Sequence, residues 1–148
     1  MGNAYTNKNN LEDFKVNIRV KISALWTAIM FCYIYADYFE LYIPGKLDSM
    51  IAGTIGPLGE VTQSKLIGTS ILLAIPTLLI FLSLVLSPRA TRWISIIFGT
   101  FYALVAVATL SAPGAWIFYR FFCVFEIMLS VVVVCYAWNW PKKCIANE

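Results

Sequence analysis

Four ionisable side chains, Asp37, Glu40, Arg120 and Glu126, lie inside stretches of this chain that are otherwise apolar enough to cross a bilayer. A charged group near a bilayer centre costs at least a few kcal/mol, so such residues pair with one another, face a bundle interior or line a path for a ligand or ion. Asp37 and Glu40, three residues apart, share one helix face. At ~1.5 Å per residue, Asp37 lies ~9 Å from the end of its span at Ile43, and Arg120 ~6 Å from the start of the last span at Trp116. The two depths are close, so an interhelical clasp between Arg120 and Asp37 or Glu40 is expected. Glu126 is ten residues beyond Trp116, ~15 Å deep and near the midplane, where the sequence offers no Lys, Arg or His. Without a cation it is expected to rest as the neutral acid, able to donate a hydrogen bond or exchange a proton. Tyr33, one turn before Asp37, and Tyr119 beside Arg120 add ring faces that can wall an apolar cavity or hold a cation. Glu126, Asp37, Glu40, Arg120, Tyr33 and Tyr119 are therefore the candidate ligand or proton site, with no catalytic role assigned to any of them.

The elements that must hold these groups follow from composition. Hydrophobic residues make up 60% and charged residues 13% of the 148, and the mean hydropathy of +0.76 departs from that of a soluble domain. Four apolar runs, at about 22–43, 65–87, 93–112 and 116–138, approach the ~20 residues a membrane helix needs. They are continuously apolar rather than alternating, which favours helices over barrel strands. The expected fold is all-α: an integral membrane four-helix bundle forming a single four-span domain over 1–148, with an amino-terminal amphipathic helix within the cytoplasmic segment 1–21. In that segment Asn10 and Asp13 resemble a helix start, and Leu11, Phe14, Ile18 and Ile22 recur at helical spacing among Lys15, Arg19 and Lys21. Its polar residues leave no apolar core ahead of the first span, so a cleaved signal peptide is not expected.

Ser87-Pro88-Arg89 and Ala112-Pro113-Gly114 punctuate the later runs, so spans two, three and four are expected to be antiparallel neighbours. Pro76, within the second span, removes a backbone donor and predicts a packing kink. The first loop, 44–64, is longer than most helix connections, and a short interfacial helix followed by a Gly/Pro turn is expected there, as a lid or a plug. Lys8, Lys15, Arg19, Lys21, Arg89, Arg92, Lys142 and Lys143 fall on one side, against Lys46 and Lys65 on the other. That bias predicts both termini in the cytoplasm. Trp93, Trp138 and Trp140 then mark the inner interface, and Tyr42 and Trp116 the outer.

Several chemistries find no residues. The sequence has no His, which removes imidazole ligation and the Ser-His-Asp arrangement. Cys32, Cys123, Cys135 and Cys144 form no C-x-x-C pair, so no metal or redox site is expected, and the first three read as small buried hydrophobes. Cys144, in a basic tail, carries only a weak signal for palmitoylation. No Gly-rich phosphate loop occurs, and the +3 charge is accounted for by topology rather than by nucleic acid. No cofactor is expected; the partners are the lipid bilayer, a small hydrophobic or cationic ligand, and further copies of the chain in a homo-oligomer.

At Tyr33-Ile34-Tyr35-Ala36-Asp37, Tyr42-Ile43-Pro44-Gly45, Lys21-Ile22-Ser23-Ala24-Leu25-Trp26 and the segment around Glu126, the chain resembles a family of small bacterial four-span membrane proteins catalogued as a domain of unknown function. The resemblance implies architecture and no activity. A looser likeness, in plan only, is to the sterol isomerase and sigma-2 receptor group, whose intramembrane carboxylates and aromatics enclose sterol-like or amine ligands. Three functions are expected in order: binding of a small apolar or amine-bearing ligand; proton-coupled transport or conduction through Glu126; and acid-catalysed isomerisation or cyclisation of a lipid. Small multidrug exporters transport through one membrane Glu, but their balanced loop charges differ from the one-sided charges here.

Overall fold

A computed structural model describes residues 14–55 and 59–141. Among them are four long helices, α1 (Ile18–Glu40), α3 (Gln63–Val85), α4 (Pro88–Leu110) and α5 (Ile117–Trp138), each long and apolar enough to cross a membrane. The loop between α1 and α3 holds the short helix α2 (Lys46–Ile51) and a two-stranded antiparallel pair, β1 (Thr54–Ile55) and β2 (Gly59–Glu60). A short helix in this loop is as expected. The strand pair is an addition that such short runs do not announce.

Helix starts follow local capping chemistry. The Asn17 side chain accepts from the Arg19 amide, Thr62 from Lys65 and Ser87 from Ala90, with Pro88 at the first helical position. The cap at Asn17 starts α1 four residues ahead of the apolar run, so Arg19 and Lys21 ride on its first turn. Residues 14–17 lead into it without helix, and the expected start at Asn10 lies outside the described residues. Gly114, at a φ of +82° that glycine adopts without strain, turns the chain from α4 into α5.

The packing order differs from the chain order. α1 lies between α3 and α5, α5 packs most extensively against α4, and α3 touches α4 only slightly despite the tight turn joining them. Spans two and three are thus not the close neighbours their short connection predicts; α3 packs chiefly against α1, and α4 against α5. The core is Ile22, Trp26, Ile29, Leu79, Tyr102, Val133 and Ala137. Trp26 and Tyr102 meet edge to face at 5.9 Å and tie α1 to α4 across the middle.

Small residues set the α4–α5 approach. Thr91, Ser95, Gly99 and Ala106 are buried on α4, facing an α5 stripe of Cys123, Glu126, Ser130, Val133 and Ala137. A β-carbon on Gly99 would sit 2.9 Å from Val134 Cγ2 and 3.4 Å from the Ser130 carbonyl, so only glycine allows this spacing.

Pro76 is buried within an unbroken α3. Its missing amide frees the carbonyl of Leu72, four residues back, and the Tyr102 hydroxyl donates to that carbonyl. Ser23 likewise donates to the Ile80 carbonyl at 2.8 Å, joining α1 to α3. Cys123 is buried as expected, whereas Cys32 is only partly covered and Cys135 is exposed on the α5 surface; Cys144 lies outside the described residues.

Candidate functional site

α1 and α5 together carry all six expected site residues, and their packing places these side chains very differently. Glu126 is buried to 4% exposure on the α5 stripe that faces the neighbouring helices. No hydrogen bond reaches its carboxyl among the described residues. Ser130, one helical turn on and on the same face, is 1% exposed, and its hydroxyl has no partner. The Tyr33 hydroxyl from α1 is also buried and unpartnered, within electrostatic range of Glu126. Its ring stands edge-on to Tyr102 at 6.4 Å. One carboxyl and two hydroxyls on this face of α5 and the adjoining part of α1 thus make no hydrogen bond, where buried polar groups are normally satisfied.

A string of polar groups leads from this cluster towards the end of the bundle that carries α2, here the loop end. Tyr119 lies within electrostatic range of Glu126 on one side and of Asp37 and Glu40 on the other. Asp37 also lies within electrostatic range of Glu126. Glu40 and Tyr119 line a cavity of about 370 Å³ closed by Thr109, Pro113, Ala115 and Trp116, where α1 meets the α4–α5 turn. Nearby, Phe39 stacks on Phe122 at 6.3 Å beside a second, almost wholly apolar crevice of about 350 Å³ that shares Ile43 and Trp116 with the first.

The expected clasp to Arg120 is not formed. Arg120 is exposed on α5 and makes no ion pair with Asp37 or Glu40. Glu40 instead pairs with Lys46, at the start of α2. Asp37 is exposed at the α1 surface and lies within electrostatic range of Glu40 and Lys46. The reason is angular: helical rise fixes the depth of Arg120, but Glu126 points inward and the separation of six positions turns Arg120 away. Lys46 reaches back because the loop turns at Ile43 and α2 starts at once, held by the Lys46 amide on the Ile43 carbonyl at 3.0 Å.

Of the six residues expected from sequence, the fold places Glu126, Tyr33, Tyr119, Asp37 and Glu40 within electrostatic range of one another in a chain of neighbours, and Arg120 apart from them on the exposed face of α5. Sequence reasoning left Ser130 and Tyr102 out of the site. Ser130 carried a signal in its spacing of four from Glu126; Tyr102 carried one only if Pro76 is read as freeing a carbonyl on another helix.

No curated protein and no solved structure matches the chain. A family model covering residues 10–147 does match, and it agrees with the four apolar helices and with the resemblance carried by Tyr33-Ile34-Tyr35-Ala36-Asp37. The chain therefore belongs to the family described as a family of unknown function, DUF6326.

Proposed function

We propose that the chain is a membrane-embedded binding protein for a small apolar molecule bearing an amine, with Glu126 as the group that receives the amine. The observation that supports this most is the Glu126–Tyr33–Ser130 cluster, in which three buried polar side chains lack partners. A protein interior gains nothing from such groups unless something else completes them. An alkylammonium has three N–H donors, and the cluster offers a carboxyl and two hydroxyl oxygens as acceptors. Its hydrocarbon part suits the aromatic surroundings, and the cavity at Glu40 and Tyr119 lies on the loop-end side of the cluster, from which we propose the ligand enters. When the ammonium arrives, the acid form of Glu126 releases its proton to the aqueous phase and the ammonium pairs with the resulting carboxylate, so the buried site stays neutral overall.

A second reading rests on the string Glu126, Tyr119, Asp37 and Glu40, which runs from mid-membrane to the loop end and would suit proton movement coupled to transport. Titration of the purified protein with n-octylamine, with n-octanol as a neutral isostere, tests binding. Glu126→Gln should weaken saturable octylamine binding at least about tenfold, the equivalent of one charge-assisted hydrogen bond, and leave octanol unchanged. Equal octylamine affinity in Glu126→Gln and wild type would remove the proposal.

A further inference from the structure

A groove lies at the opposite end of the bundle from Glu40, where the start of α1 meets the end of α5. It measures about 1070 Å³ and is lined by Lys15, Arg19 and Lys21 on one side and by Val132, Cys135 and Tyr136 on the other. No carboxylate is among its described lining residues. Two of the three cations are held in place. Arg19 donates to the Leu84 carbonyl of α3 at 3.3 Å, and the Lys21 ammonium sits 5.6 Å from the Tyr136 ring centre. Trp140 and Pro141 form the rim.

The two walls differ in depth as well as polarity. Val132 is six residues before the end of α5 at Trp138, ~9 Å into the membrane, whereas Lys15 precedes the first helical turn of α1. The groove is therefore cationic at the interface and apolar below it. A soluble anion would use only the upper half. A phospholipid with a net negative headgroup uses both: its phosphate lies among Lys15, Arg19 and Lys21, and the first carbons of an acyl chain lie along Val132, Cys135 and Tyr136.

We infer that this groove is a binding site for one anionic phospholipid, drawn from the leaflet at which α1 begins and α5 ends. The site is separate from Glu126 and does not depend on the amine-binding reading. Neighbouring basic residues such as Arg89, exposed at the same end but outside the groove, take no part in it.

Native mass spectrometry of the full chain, titrated with dioleoylphosphatidylglycerol or dioleoylphosphatidylcholine, tests the inference. One phosphatidylglycerol per chain should be retained in preference to phosphatidylcholine. Lys15→Gln and Lys21→Gln should each weaken retention about five-fold, as expected for one basic residue near an anionic surface, while Lys21→Arg and Arg89→Gln should leave it within about twofold. Inorganic phosphate and glycerol phosphate at millimolar concentration should not displace the lipid. The inference is overturned if phosphatidylcholine is retained equally well, or if Arg89→Gln weakens retention as much as the groove variants, which would mean general surface attraction. Displacement by the soluble phosphates would likewise overturn it, by assigning the groove to a free anion.

Discussion

Ser130 and Tyr33 each carry a buried hydroxyl without a partner, and such groups cost stability unless something completes them. Ser130→Ala should therefore leave the thermal unfolding temperature unchanged or raise it, while lowering octylamine affinity; loss of stability by more than about 1 kcal/mol would show the hydroxyl to be structurally bonded. Arg120 gives the opposite contrast. Exposed and without an ion pair to Asp37 or Glu40, it should tolerate replacement, so Arg120→Ala is expected to change stability by less than about 0.5 kcal/mol in a denaturation series. A buried clasp would have shown a far larger loss. Depth along a helix was legible in the sequence for both residues, since rise per residue is fixed. Azimuth relative to neighbouring helices was not, because it depends on which helix packs where.

Among the elements, α3 and α4 show how a local defect is repaired from a distance. Pro76 leaves the Leu72 carbonyl without its helical donor, and Tyr102 supplies one from α4. Tyr102→Phe should then destabilise by about 1 kcal/mol, the scale of one hydrogen bond between membrane helices. Restoring the helical donor with Pro76→Ala should shrink that loss, so a double-mutant cycle on the pair should show coupling and additive losses would argue against it. Gly99 makes a sharper demand. Its neighbour Val134 would be 2.9 Å from an added β-carbon, so Gly99→Leu should force α4 from α5 and cost about 1–3 kcal/mol or prevent folding, measured by urea or thermal denaturation.

The bounds of α5 were close to legible, because Pro113 and Gly114 precede it and Trp116 and Trp138 mark its ends. The insertion of α1 between α3 and α5 was not, since a short connection states only that two helices are consecutive. Lys46 as the partner of Glu40 was hidden for a similar reason: a loop residue has no fixed depth until the turn at Ile43 is built.

For the whole molecule, the ends of the bundle differ chemically. The terminal end carries Lys15, Arg19, Lys21, Arg89 and Arg92, and the loop end Lys46 and Lys65. The positive-inside bias predicts the terminal end in the cytoplasm. In a background without native cysteines, Asp48→Cys should react with a membrane-impermeant maleimide in intact cells and Phe14→Cys only after lysis; the reverse pattern would invert the orientation. That orientation would open the Glu40 and Tyr119 cavity outward and place the basic groove on the inner leaflet.

The most direct measurement is the octylamine-induced difference infrared spectrum of protein carrying carbon-13-labelled glutamate carboxyls. Exchange of the Glu126 proton for an ammonium should appear as loss of a protonated-carboxyl band and gain of a carboxylate band, present in wild type, abolished by Glu126→Gln and absent with octanol. The same difference bands in Glu126→Gln, or no octylamine-dependent carboxyl change in wild type, would contradict the assignment of Glu126 as the amine-receiving group.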